Sequence, residues 1–524
     1  MTIWCMGGRR RRLATPAWVF LAMMASCATP SAPASFEVAE ASIEDLAAAM
    51  DIGRVTSEEL VERYLARIEA FDDQGPALNT IITLNLEAAA TARALDAERR
   101  ATGPRGPLHG VPILIKDNYD MAGLPTTIGS IAMAGLMPPD DGFQVHKLRA
   151  AGAVILGKTN LHEFARGITT VSSVGGQTLN PYDPSRNPGG SSGGTGAAVA
   201  ASFAAAGMGS DTCGSIRIPS AHNSLVGLRA TAGLSSRDGV VPLSHTQDVA
   251  GPLARSVTDL ALMLDATVGT DPADQVTADA DRHVPESYTA SLDADGLRGA
   301  RLGLLTMLVR QDPEDEPVAN VIDTAVADLR RLGAEVEEVE IDGLAELLDS
   351  YVVLSQEFKF DLDAYLVATP GAPVSSLAQV LADGLYHPSV RERLEQSNAV
   401  ETLDTDEYRE AFGRRETIRR RVVEVLEALA LDALIYPTMR RQAAVIGDRQ
   451  GGDNCRLSAH SGLPAITVPA GFTDDDMPVG LEMLGRAFAE PRLIGLAYAF
   501  EQSTGHRRPP ASTPPLSAAE PASQ

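Results

Sequence analysis

The sequence predicts an α/β fold, a large mixed sheet covered by helices on both faces within one catalytic domain. Three observations predict it. Short apolar runs alternate with longer segments whose apolar residues recur at helical spacing, the pattern of strands and covering helices. The composition, 44% hydrophobic and 22% charged, suits a soluble globule with a large core and excludes disordered, collagenous and coiled-coil chains. No repeat of roughly 20–50 residues runs along the chain, so nothing suggests a solenoid or propeller.

The elements follow in order. Residues 1–26 read as a signal peptide. Arg9, Arg10, Arg11 and Arg12 make a charged start, and the largely apolar residues 13–25 are too few to span a membrane as a mature helix. Met24, Ala25 and Ser26 before Cys27 resemble a bacterial lipobox, which makes Cys27 a candidate lipid anchor. Ala32-Pro33-Ala34 is a rival cleavage site, and the arginine run leaves twin-arginine export open. All of these routes predict export, to the periplasm, the cell envelope or the medium. Residues 27–41 read as an Ala/Pro/Ser tether.

The catalytic domain is expected over 42–508. Ser42 with Asp45 marks a helix start. Thr56 with Glu59 is a capping box before Leu60, Val61, Tyr64, Leu65 and Ile68, which share one helical face. Further helices are expected over 86–100, 318–332 and 408–429. Strands are expected at 111–115, 153–156, 301–305, 335–341, 433–436, 465–468 and 479–484. Between 175 and 239 the chain is rich in Gly, Ser and Ala. Residues 509–524, rich in Pro, Ala and Ser, read as a disordered tail.

Charge narrows the partners. The chain carries 44 basic and 69 acidic residues, and its first 36 hold four arginines and no acid. So acidic a body repels phosphate backbones, which argues against nucleic-acid binding. Only Lys116, Lys147, Lys158 and Lys359 are lysines. Each is therefore a candidate for chemistry that arginine, which never gives up its proton, cannot perform. Of the four cysteines, Cys5 and Cys27 lie in the leader. Cys213 and Cys455 could form one disulfide, but no spacing motif argues for it, and no Cys/His cluster suggests zinc.

Two motifs mislead. Gly152 to Thr159 fits the P-loop pattern, but its middle residues are apolar and β-forming, so Lys158 is expected at a strand end in a structural bond. Gly189-Gly190-Ser191-Ser192-Gly193 fits the nucleophile elbow of hydrolases, but three prolines in the preceding residues leave no room for the required strand. His162-Glu163 is read as part of a helix after Asn160, and no metal site is expected.

Three segments remain. Lys116-Asp117-Asn118 follows an apolar strand, where burial lowers a lysine pKa. Gly189 to Gly196 is a Gly/Ser turn that can point N–H groups and hydroxyls inward. In Gly209-Ser210-Asp211-Thr212-Cys213-Gly214-Ser215-Ile216-Arg217, a serine beside glycine sits in a turn suited to an oxyanion hole.

Together these segments resemble the amidase signature family, with 75 residues from Lys116 to Ser191 and 24 from Ser191 to Ser215. The likeness extends to Leu108-His109-Gly110-Val111-Pro112, to Pro478-Val479-Gly480-Leu481-Glu482 and to some 450 residues in all. It implies an amide hydrolase with a Ser-Ser-Lys triad and no cofactor or metal, acting on a small-molecule or peptide amide. Ser215 would be the nucleophile, Ser191 in a cis peptide the proton relay, and Lys116 the base. The backbone N–H groups of Thr212, Cys213, Gly214 and Ser215 would form the oxyanion hole, with Asp211, Arg217 and Ser192 in support. A lysine must fall roughly 2–3 units from its ordinary pKa to act near pH 8. Relatives usually carry Gly where Cys213 sits. If that position needs positive φ, the cysteine is strained by about 1 kcal/mol or more. Triad spacing favours Ser215 over Cys213 as nucleophile. The stretch from Ser236 to Gly251 resembles bacterial peptide-amidase-like members, and residues 345–430 are expected to line the acyl pocket. An A-type component of a tRNA-dependent amidotransferase or an esterase is the alternative.

Overall fold

Lys116 ends a strand whose neighbours fix where the chemistry can sit. The computed structural model describes residues 1, 2, 4–8, 36–349 and 352–516. Cys27 and both leader cleavage sites lie outside them. Eleven strands form the main sheet: β1 (Ile81–Leu84), β2 (Pro112–Lys116), β3 (Val154–Thr159), β4 (Ala206–Asp211), β5 (Val226–Arg229), β6 (Val249–Ala254), β7 (Arg301–Leu305), β8 (Glu335–Val339), β9 (Ala433–Pro437), β10 (Ala465–Phe472) and β11 (Pro478–Leu484). Their order is β1-β3-β2-β4-β6-β5-β10-β11-β9-β7-β8. The sheet is mixed: β2 runs parallel to β3 and β4, while β4, β6, β5, β10, β11 and β9 alternate in direction. Every residue of β2, β3, β4 and β6 is buried, as expected when both faces are covered.

The expected strands are all present, within a few residues at their ends. The expected helices occur as Ala88–Thr102, Glu316–Arg331 and Asp406–Ala428. Both capping signals hold, Ser42 with Asp45 and Thr56 with Glu59. β1, β4, β5 and β6 were not foreseen. Gly207 and Gly209 make β4 a poor strand on propensity, but a Cβ at Gly207 would come within 2.4 Å of Thr195, so close packing selects the glycine.

Two expectations need correction. After Asn160 the chain forms no α-helix, only a 3₁₀ turn over Glu163–Ala165 with Phe164 and Ala165 at positive φ. This reversal carries the His162 N–H to the carbonyl of Ser191 at 3.0 Å. The C-terminal segment also stays ordered beyond Pro509. The buried Arg67 guanidinium donates to the carbonyls of Thr513 and Pro514, and Ser512 caps the carbonyl of Pro181. Residues 517–524 lie outside the described part.

Candidate active site

β2 and β4 run parallel and adjacent, with Ile115 opposite Met208, so Lys116 and Ser210 emerge together at the carboxyl ends of their strands. That edge is where open α/β sheets place ligands. Lys116 is fully buried. Its Nζ lies 2.8 Å from Ser191 Oγ and 2.8 Å from Ser210 Oγ, and Asn118 donates to Ser210 Oγ at 3.0 Å. Burial pulls the amine down to about 7, against the opposing pull of the Asp248 and Asp211 charges.

Ser191 precedes helix α1 (Gly193–Ala200), and the Gly190–Ser191 peptide is cis. No strand leads into it, so the elbow is absent as expected. The turn packs tightly: a Cβ at Gly193 would sit 2.2 Å from Thr170 Oγ1, and one at Gly194 the same distance from the carbonyl of Asn160. Ser192 supports the turn twice, through its N–H to the carbonyl of Ser215 at 3.2 Å and its Oγ to the carbonyl of Ser210 at 3.3 Å.

Ser215 precedes helix α2 (Arg217–His222) and follows Gly214, which takes φ +83°. The left-handed position of the loop thus falls on the glycine, and Cys213 escapes the strain considered for it. Asp211 organises the loop. Its carboxylate accepts the N–H groups of Gly214 at 2.7 Å and Ile216 at 3.2 Å, Arg217 Nε at 3.1 Å and Arg229 Nη1 at 3.1 Å. Burial pushes this carboxyl up, but the Arg217 and Arg229 guanidiniums together hold it well below the ordinary range. Arg217 also pairs with Glu482, which accepts Tyr436 OH at 2.8 Å.

This arrangement corrects one expected oxyanion donor. The Gly214 N–H is committed to Asp211, because a buried carboxylate needs donors. The N–H groups of Thr212, Cys213 and Ser215 meet no protein acceptor among the described residues and remain available.

Cys213 and Cys455 are joined in a disulfide, with Cα atoms 5.1 Å apart and a separation of 242 positions in sequence. The sulfur beside Ser215 is therefore no thiol. Sequence reasoning left this pairing open, and it overlooked Ser210, Arg229 and Glu482 as supports. Position within the motif segments was the only available signal for Ser210 and Glu482.

A cavity of about 600 Å³ opens over the site. Ser215, Thr212 and Cys213 line it, while Lys116 and Ser191 lie buried and do not. Leu354, Ser355, Ser389, Glu392, Arg393 and Gln396 form part of its wall, within the expected 345–430 region. Asp448, Arg449, Gln450, Asp453 and Arg456 form a second stretch that the sequence did not suggest. His162 also lines the cavity, and burial holds its imidazole down at about 3, so it is neutral.

The decoy lysine behaves as expected. Lys158 pairs with Asp117 at 3.3 Å, both fully buried, and donates to the carbonyl of Pro125 and to Thr126 Oγ1. Among the described residues, His245, Glu357 and Asp361 are the one grouping with metal-ligand geometry. Glu357 already accepts Ser244, Thr246 and Tyr408, which accounts for the cluster without an ion.

The chain is similar to several known proteins. The family profile "Amidase" matches residues 59–494. A probable amidase of Arabidopsis thaliana is 36% identical over 492 residues, covering 91% of this chain and 92% of the relative. The A-type component of the glutamyl-tRNA(Gln) amidotransferase of Moorella thermoacetica is 37% identical, covering 87% and 95%. The native peptide amidase structure from Stenotrophomonas maltophilia is 42% identical with a TM-score of 0.82, covering 90% and 98%.

Proposed function

The chain belongs to the amidase family and is an amide hydrolase of the amidase signature type, and from that premise we propose an exported enzyme that cleaves carboxamides through an acyl-Ser215 intermediate. One observation carries the mechanism: a fully buried lysine, its amine drawn down to about 7, lies 2.8 Å from Ser191 Oγ beneath a cavity lined by Ser215.

Neutral Lys116 takes the Ser191 proton while Ser191 takes that of Ser215. Ser215 Oγ then attacks the carbonyl carbon. A serine hydroxyl needs such a base to become a competent nucleophile. The tetrahedral oxygen gathers negative charge opposite the free N–H groups of Thr212, Cys213 and Ser215. When the C–N bond breaks, Ser191 returns a proton to the departing nitrogen and is reprotonated from Lys116. Water then attacks the acyl-serine by the same relay and releases the acid. The reaction needs no cofactor.

The likeness to a peptide amidase and a cavity of about 600 Å³ support small-molecule or peptide amides as substrates. The Moorella relative gives weight to a second reading, the A-type component of a tRNA-dependent amidotransferase, which the leader-like residues 9–25 oppose. The same triad could also cleave esters. A fluorophosphonate should label Ser215, and Ser215→Ala should lose both label and ammonia release from a peptide amide. Ammonia release only in the presence of a glutamyl-tRNA partner complex would replace hydrolysis with the second reading.

Export rests on the arginine run and apolar stretch of residues 9–25. Mass spectrometry of the cell-derived protein should find a terminus at lipidated Cys27 or at Ser35. An intact Met1 would refute export, and Ser35 would refute only the lipid.

A further inference from the structure

Cys213 sits in the middle of the oxyanion loop, and its neighbours on both sides are fastened without it. On one side, Thr212 Oγ1 donates to Asp248 and the carbonyl of Thr212 accepts Gln247. On the other, the N–H groups of Gly214 and Ile216 are held by Asp211. Cys213 itself makes no hydrogen bond to protein among the described residues. Its sulfur is its only specific link, and it leads to Cys455.

Cys455 is itself well placed to serve as an anchor. It is the residue before helix α3 (Arg456–Ser461), and its carbonyl accepts Arg217 Nη2 at 3.3 Å. Arg217 in turn holds Asp211, which holds Gly214. The disulfide therefore closes a ring: Cys213, Cys455, Arg217, Asp211, Gly214 and back to Cys213. Cys455 also packs so near Gly214 that a Cβ there would lie 2.8 Å from its own. The two sulfurs sit among Ile218, Met439 and Ala459, and Cys213 faces the cavity.

We propose that the Cys213–Cys455 bond positions the Cys213 N–H as an oxyanion donor, so that amide cleavage requires the bond to be closed. This rests on the catalytic reading above. Hydrogen-bond donors stabilise a developing oxyanion only if they are fixed before the charge forms. With the bond open, this N–H is held only through its own peptide, by the one hydrogen bond that the Thr212 carbonyl accepts from Gln247. A dithiol reaching Cys213 through the cavity would open it, yielding two protein thiols and the cyclic disulfide of the reductant. The enzyme would then be fast in an oxidising compartment and slow in a reducing one.

The test uses the full chain, oxidised and after dithiothreitol, with thiols counted and ammonia release from a peptide amide measured. Opening the bond should lower kcat at least tenfold, about 1.4 kcal/mol, with KM within about twofold, and reoxidation should restore the rate. Inhibition by a peptide aldehyde, whose hemiacetal oxygen occupies the oxyanion position, should weaken by a similar factor. A merely stabilising bond would not produce that parallel. Cys455→Ala should match the reduced enzyme and no longer respond to dithiothreitol. A folded, reduced enzyme with both thiols titrated and kcat within twofold overturns the inference alone. Loss of the far-ultraviolet dichroism on reduction also overturns it, by making the bond a staple for the whole fold. An oxidised chain that cleaves no amide overturns the catalytic reading and this inference with it.

Discussion

The floor of the cavity and its outer wall are built from opposite materials. The floor comprises β2, β4 and the turns before α1 and α2. It joins the apolar β2 to segments rich in Gly and Ser, and its charged groups Lys116 and Asp211, with Ser191 and the adjoining Arg217 and Arg229, are all fully buried. The charged side chains there are held by other side chains, from Ser210 beside Lys116 to Glu482 behind Arg217. The wall over 389–396 and 448–456 is charged and half open, with Glu392, Arg393, Asp448 and Arg449 exposed. A buried polar network tolerates little change, because any member removed leaves its partners unsatisfied in a low-dielectric interior. An exposed wall can change its side chains at small cost. On the proposed reading, the floor carries the reaction chemistry and the wall discriminates between amides.

The largest effect expected from that division is at Lys116. Lys116→Ala should lower kcat about 10³-fold, within the range for a positioned acid–base group. Lys116→Arg should be nearly as damaging, since it keeps charge but cannot deprotonate. In the native enzyme the base works only when neutral. kcat/KM should therefore rise with pH through an ionisation near 7 and fall away below it, and the Ala variant should lack that ionisation. A folded Lys116→Arg enzyme with substantial activity would break the mechanism.

Next comes the floor's central anion. Asp211→Asn keeps the shape but leaves Arg217 and Arg229 with no full counter-charge on that side. Breaking a buried pair in this way should cost about 3–5 kcal/mol of stability, read by denaturant unfolding, together with loss of activity. A loss below about 1 kcal/mol would show that the floor is less interlocked than the network implies.

The smallest effect belongs to the wall. Arg393→Ala should change KM by a few-fold, differently for different amides, with kcat within about twofold and stability within about 0.5 kcal/mol. A uniform fall in kcat across substrates would erase the division between floor and wall.

How far the sequence could be read follows the same line. Lys116, Ser191 and Ser215 were singled out through the family that their three segments together resemble, and the structure sets Lys116 2.8 Å from Ser191 and puts Ser215 on the cavity lining. The strands rich in Val, Ile and Leu were legible too, because burial on both faces leaves an apolar run. β4 was not, since its Gly-Met-Gly centre is set by the approach of Thr195 and Ser192 from α1 and the turn before it rather than by propensity. The Cys213–Cys455 bond joins positions with no local relation. The role of the Gly214 N–H depended on which way Asp211 points, and only three-dimensional packing decides that. The ordered residues after Pro509 were hidden by composition: they dock on a buried arginine from the far end of the chain, Arg67, and on the carbonyl of Pro181.

The brace behind the oxyanion loop draws on residues that the ribosome makes last. Lys116, Ser191 and Ser215 are all translated within the first half of the chain, whereas Tyr436, Cys455 and Glu482 arrive 221, 240 and 267 residues after Ser215. A nascent polypeptide stalled before β9 already holds these three residues, yet Arg217 has neither its second carboxylate nor the Cys455 carbonyl. The order of synthesis thus withholds the finished loop until the last third of the chain has emerged.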